Sequence, residues 1–113
     1  MGEHESIEKQ LIIEAANKTL KALDNVMARM GELGKGDTLG LRHGSKGGGQ
    51  TPYEWINTRH IVGKVDKGEL AQVQSSLHNM LGSELARADK EVHSSLQDAL
   101  NALKEMEQFA VEK

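Results

Sequence analysis

The stretch LAQVQSSLHNMLGSELARADKEVHSSLQDALNALKEMEQFA, residues 70–110, decides how this chain folds. Apolar residues recur along it at Leu70, Val73, Leu77, Leu81, Leu85, Ala88, Val92, Leu96, Ala99, Leu103, Met106 and Ala110. Their steps of three and four average roughly 3.6 residues, the period of a nearly straight α-helix. The stripe keeps its phase across Gly82, from Leu77 and Leu81 to Leu85 and Ala88. The reading is therefore one continuous helix over about 67–112, rather than two helices with Ser83 capping the second. Such a rod spans about 60 Å at 1.5 Å per residue, more than a compact domain of this size can hold. Its apolar edge needs a partner, either the other long helical segment or a second copy of the chain.

The amino-terminal segment supplies the first candidate. Ile13, Ala16, Leu20, Leu23, Met27 and Met30 alternate threes and fours, the a and d spacing of a heptad, and predict a helix over about 5–33. Ser6 is placed to cap it, and Gly31, Gly34 and Gly36 withdraw helix propensity at its end. Leu11, Ile12 and Ile13 stand side by side and widen the apolar face beyond what one helix covers, which favours a bundle over a two-helix pair. From 34 to 50 the chain turns polar and glycine-rich, the composition of a loop that cannot offset its own ordering entropy. Leu39 and Leu41 interrupt it and are placed to pin it. A short helix over about 52–62 follows, opened by Thr51, Pro52 and Glu54 as a capping box with proline at its first position, and stopped by Gly63. Asp66 and Glu69 form a second capping box at the head of the long helix.

Composition agrees with helices. Aromatic residues make up 3% of the chain, so the core must come from aliphatic residues, which suits helix packing better than sandwiches or barrels. The net charge of -3 divides unevenly: residues 1–34 carry -2, residues 35–67 carry +3 and the remainder -4, so a basic middle separates two acidic arms. Without cysteine, disulfide and thiolate chemistry are absent. No apolar run approaches the ~20 residues of a membrane span, and the amino terminus lacks a signal-peptide pattern, which makes a cytoplasmic chain the default expectation.

Motifs with chemical meaning are weak. Gly44 to Thr51 places a lysine among glycines ahead of a helix, but a phosphate-binding P-loop needs Gly-Lys followed directly by Ser or Thr after a strand, and the order here differs. Gly48-Gly49-Gln50 resembles the tripeptide of class I peptide-release factors over those three residues. The resemblance implies peptidyl-tRNA hydrolysis only within the rest of such a domain, whose β-structure is not readable here. No two of His4, His43, His60, His78 and His93 stand four apart, as a helical zinc site requires. Ser75-Ser76 and Ser94-Ser95 lie within helical stretches, without a nucleophile turn. No catalytic, cofactor or metal residues are expected.

These residues predict an all-α protein. Two long helices form an antiparallel hairpin around a short intervening one, completed as a bundle by self-association, a homodimer being the simplest case. The expected function is a non-enzymatic protein-interaction module, a small adaptor, chaperone-like protein or inhibitor acting through a helical face and the glycine-rich loop. Tyr53, Trp55, Arg59, Arg42, His43 and Lys46 are the candidate partner-binding residues, since rings and arginines dominate interface energetics. The alternative is a nucleic-acid-binding accessory protein using the basic segment 35–67, with Tyr53 and Trp55 stacking on bases. A third reading turns both features inward, making Trp55 a core anchor and pairing the cations with the carboxylates of the arms.

Overall fold

Capping chemistry and apolar spacing divide the chain into five helices and one minimal strand pair in the computed structural model, which describes residues 3–42 and 50–112. The elements are α1 (Glu3–Glu32), α2 (Pro52–Val62), β1 (Val65–Asp66), α3 (Lys67–Leu81), α4 (Glu84–Ala88), α5 (Lys90–Glu107) and β2 (Ala110–Val111). The protein is mostly helical, as an aliphatic, aromatic-poor composition requires. The two short strands pair in parallel, Val65 beside Ala110 and Asp66 beside Val111.

The core forms where α1 packs on α5. Its α1 side is made by Ile12, Ala15, Ala16, Thr19, Ala22, Leu23, Val26 and Met30, all buried. Ala16, Leu23 and Met30 of the heptad read from the sequence are buried as expected, whereas Ile12, Thr19 and Val26 take the places of Ile13, Leu20 and Met27, which are left half-buried on the flank. Small residues, Ala15, Ala16 and Ala22, alternate along this side of the core with the larger Ile12, Leu23, Val26 and Met30. Thr19 is tolerated there because its hydroxyl donates to the Ala15 carbonyl at 2.7 Å. Val92, Leu96, Ala99, Leu100, Leu103 and Met106 supply the α5 side. Lys18 Nζ meets Glu105 Oε1 at 3.1 Å and Arg29 Nη2 meets Asp89 Oδ2 at 2.9 Å. Residue number therefore rises along α1 as it falls along α5, and the two run antiparallel.

The remaining helices close the ring. α3 lies on α5, where Gln74 Nε2 donates to Glu107 Oε1 at 2.8 Å, and α2 bridges α1 and α3. The molecule measures 48 × 28 × 19 Å, its length set by the thirty residues of α1 at 1.5 Å each. At the turn before α2, Leu41 is fully buried, its N–H donating to Asp37 Oδ1 at 2.9 Å and its carbonyl accepting from the Tyr53 N–H at 3.2 Å. That residue fastens the loop to the bundle.

The continuous helix over 67–112 is not what forms. α3 ends at Leu81, Gly82 follows, and the Ser83 hydroxyl caps α4 by accepting from the Ala86 N–H at 3.2 Å. Asp89 then leaves the helical region at φ -122°, ψ 115°, and its carboxylate caps α5 by accepting from the Val92 N–H at 3.0 Å. A capping side chain satisfies N–H groups that an uninterrupted helix would satisfy with its own carbonyls, so each cap makes a local start compete with continuation. The stripe misreads the fold only around this break: Ala88 is exposed and Ala86 is buried in its place. The helical reading also overran at the carboxy terminus, where α5 stops at Glu107 and the chain turns into β2.

Candidate functional site

Two rings of α2 each carry a stacked cation, and the two pairs differ in burial. On the outer one, the Arg42 guanidinium lies 5.1 Å from the centre of the half-buried Tyr53 ring. On the inner one, Arg59 lies one turn after Trp55 and covers its ring at 4.2 Å. Helical spacing produces the inner pair, because residues four apart share a face. Trp55 is only 3% exposed and Arg59 5%, so both belong to the interior. His43 and Lys46 lie outside the described residues, as do the glycines of the 43–49 segment.

The inner pair is wired into the fold by hydrogen bonds. Trp55 Nε1 donates to Glu69 Oε1 at 3.0 Å, tying α2 to the first turn of α3. Arg59 Nε donates to the Trp55 carbonyl at 3.1 Å, Nη2 donates to Thr58 Oγ1 at 2.8 Å, and Nη1 donates to the Lys64 carbonyl. The last bond holds the chain as it leaves α2 through Gly63, whose φ of +67° ends the helix. A side chain there would also press on the stem of Lys9, 3.2 Å from the Cβ position. Burial pushes the Arg59 guanidinium below its ordinary value, with the Glu69 charge opposing. An arginine so placed still carries its proton.

Beside Arg59 opens a cavity of about 540 Å³, with Val62, Val65 and Val111 among its walls and Lys64, Asp66, Glu69 and Glu112 at its edge. Its volume falls in the range of small-ligand pockets. The other large concavity, about 580 Å³ between α1 and α5, is a polar groove past Asn25, Ser94 and Ser95. Of the two cations on that groove, Arg29 and Lys90, the first is already matched: Arg29 holds Asp89 through Nη2 at 2.9 Å and Nε at 3.2 Å. That hydrogen bonding raises the Arg29 guanidinium and, with the Val92 N–H, lowers the Asp89 carboxyl below the usual carboxylate range.

Among the described residues no group of three His, Cys, Asp or Glu side chains is placed to hold a metal ion, and no helix is long and apolar enough to cross a membrane. Comparison of the chain with protein-family models, with curated proteins and with solved structures finds no match.

A feature that sequence reading passed over concerns surface rather than chemistry. The large apolar side chains exposed among the described residues are Ile7, Leu11, Leu33, Ile61, Val62 and Val111. All but Leu33 lie at one end of the rod. Lys9 packs against Gly63, Glu8 and Lys9 share a concavity with Val62 and Lys64, and Val62 and Val111 share another. Ile61 is 80% exposed although it forms an apolar pair with Val62 at the end of α2. That adjacency, Ile61 next to Val62 ahead of a stop glycine, was the available signal: one helix face cannot bury both.

Proposed function

We propose that this chain is a non-enzymatic protein-interaction module of the adaptor type, and that its apolar end closes on a second copy to give a homodimer. The clustering of Ile7, Leu11, Ile61, Val62 and Val111 at one end carries the reading. Single exposed apolar residues are ordinary on any surface, whereas several gathered at one end of a molecule are characteristic of an interaction site. The rim holds both signs of charge, Glu8 and Glu112 with Lys9, Lys64 and Lys67. A patch with a mixed rim can face itself across a twofold axis, lysines of one copy meeting carboxylates of the other. Self-association would also complete the helical bundle beyond the antiparallel α1 and α5 pair.

Among the described residues, the groups whose protonation is shifted support a non-enzymatic role. They are an ion pair that caps a helix and a cation stacked on an indole, neither of which is an acid and base poised near neutrality. The nucleic-acid alternative draws less support, because Trp55 and Arg59 face inward and leave the basic segment without its larger stacking ring.

Sedimentation equilibrium in the tens-of-micromolar range tests the reading. The native chain is expected to sediment as a dimer, and Ile61→Asp as a folded monomer with the same circular dichroism. A native chain that stays monomeric, or an Ile61→Asp dimer as tight as the native one, defeats the self-association through this end.

A further inference from the structure

At the apolar end a projection stands beside a hollow. Ile61, at 80%, is the most exposed of the large apolar side chains among the described residues. One position on, Val62 lines the cavity of about 540 Å³ together with Val65 and Val111. Consecutive residues of a helix point about 100° apart, and Ile61 is not among the residues that line this cavity. The chain therefore leaves the hollow unfilled by its own isoleucine. Val65, 1% exposed, forms the buried wall, whereas Val62 and Val111 are more than half exposed. Charge differs across Val62 as well. The concavity that Val62 shares with α1 has Lys9 and Lys64 against Glu8 and is net positive. The cavity has Asp66, Glu69 and Glu112 against Arg59 and Lys64 and is net negative.

We infer that Ile61 of each copy enters the cavity walled by Val62, Val65 and Val111 of the other, so that each hollow is completed by its partner. This rests on the self-association proposed above and names the contact that carries it. In a twofold contact, residue i of one copy meets residue j of the second while j meets i. A projection next to a hollow on one surface satisfies that rule off the axis, where rotation sets each isoleucine over the opposite cavity. The volume admits an isoleucine side chain with room to spare. The same rotation brings the net positive side of Val62 in one copy towards the net negative side in the other, the complementarity that fixes register between partners.

The chain has no cysteine, so single replacements at exposed positions report on the contact without background. Ile61→Cys and Val111→Cys are mixed in equal amounts, oxidised mildly, and the covalent dimers told apart by intact mass. The mixed disulfide is expected to exceed both like pairs well beyond random pairing, and Leu33→Cys, at the other end of the rod, to give none with Ile61→Cys. A second variant separates insertion from general stickiness. Val111→Phe adds apolar area to the patch but fills the hollow, and is expected to weaken dimerisation at least about tenfold in sedimentation equilibrium. Contact between flat apolar surfaces would be strengthened by the same change. A native dimer whose disulfides pair at random, or one tightened by Val111→Phe, overturns the insertion and leaves self-association standing. A native chain that stays monomeric overturns both.

Discussion

α5 and the α3–α4 stretch carry the same apolar stripe at the same spacing, yet α5 runs eighteen residues without interruption and the other is cut into fifteen and five. The difference lies in what sits between the apolar positions. α5 has no glycine, and its Ser94 and Asn101 are exposed. The α3–α4 stretch has Gly82 followed by Ser83, then Asp89, each with its side chain or its lack of one available to end a helix and start another. Period tells which face is buried. It is blind to whether the backbone between two buried positions stays helical, because a capped turn can bring the next helix back with the same face inward.

The comparison breaks first at the level of packing. Leu103 is fully buried between α1 and α5, whereas Leu85 on α4 is half-buried. Leu103→Ala is expected to cost about 2–5 kcal/mol in urea unfolding, the range for a leucine removed from a closed core, and Leu85→Ala well under half of that. Equal losses would show α4 to be packed as tightly as α5 and would remove the distinction between the two stretches.

The second test addresses the junction where the two regions meet. Asp89 caps α5 and holds Arg29, and its folded carboxyl is lowered first by the Arg29 hydrogen bond and then by the Val92 N–H. A carboxyl lowered by folding stabilises the protein fully above its unfolded value, about 3.9, and loses that contribution as pH falls through the folded value. Asn at the same position still caps a helix but carries no charge. The stability gap between the native chain and Asp89→Asn is therefore expected to be widest near neutrality and to close in acid. A gap that stays constant from neutral pH into strong acid would mean that the ion pair to Arg29 contributes nothing to holding α1 on α5.

Much of the fold was written in local chemistry. Thr51, Pro52 and Gly63 bound α2, and Asp66 opens α3, because each end depends on one or two side chains and a backbone angle that those residues favour. Leu41 was marked as a pin by being an apolar residue in a polar stretch. The break after α3 was harder, since Gly82 and Ser83 offered a stop and a start while the stripe argued for continuity, and nothing in a single sequence weighs one against the other. The candidate site was legible only as a set of residue types. Trp55 and Arg59 stand four apart on one helix, so their stacking was implied, but their inward direction depends on Glu69 and Lys64 from other elements. The contribution of Val111 depends on β2 returning beside β1, a contact between residues 45 positions apart that no local pattern announces.

The last test returns to the break itself, where the expected effects are smallest. Ser83→Ala removes an acceptor from the Ala86 N–H and a 2.6 Å hydrogen bond from its hydroxyl to the Met80 carbonyl, and is expected to cost about 1 kcal/mol. Gly82 sits at φ -83° with its nearest neighbour, the Asn79 carbonyl, 3.6 Å from a Cβ, so Gly82→Ala introduces no strain and is expected to gain about 0.5–1 kcal/mol. The double variant should then be close to the native chain in stability. Its helix content by far-ultraviolet circular dichroism is expected to stay the same, because Asp89 still starts α5 and Ala86, not Ala88, is the residue buried against the bundle. A continuous helix through 81–90 would have to turn Ala86 away from that contact. A rise in helix content would show that the local caps alone keep α3 and α4 apart; an unchanged spectrum assigns the break to packing, with the caps as its local signature.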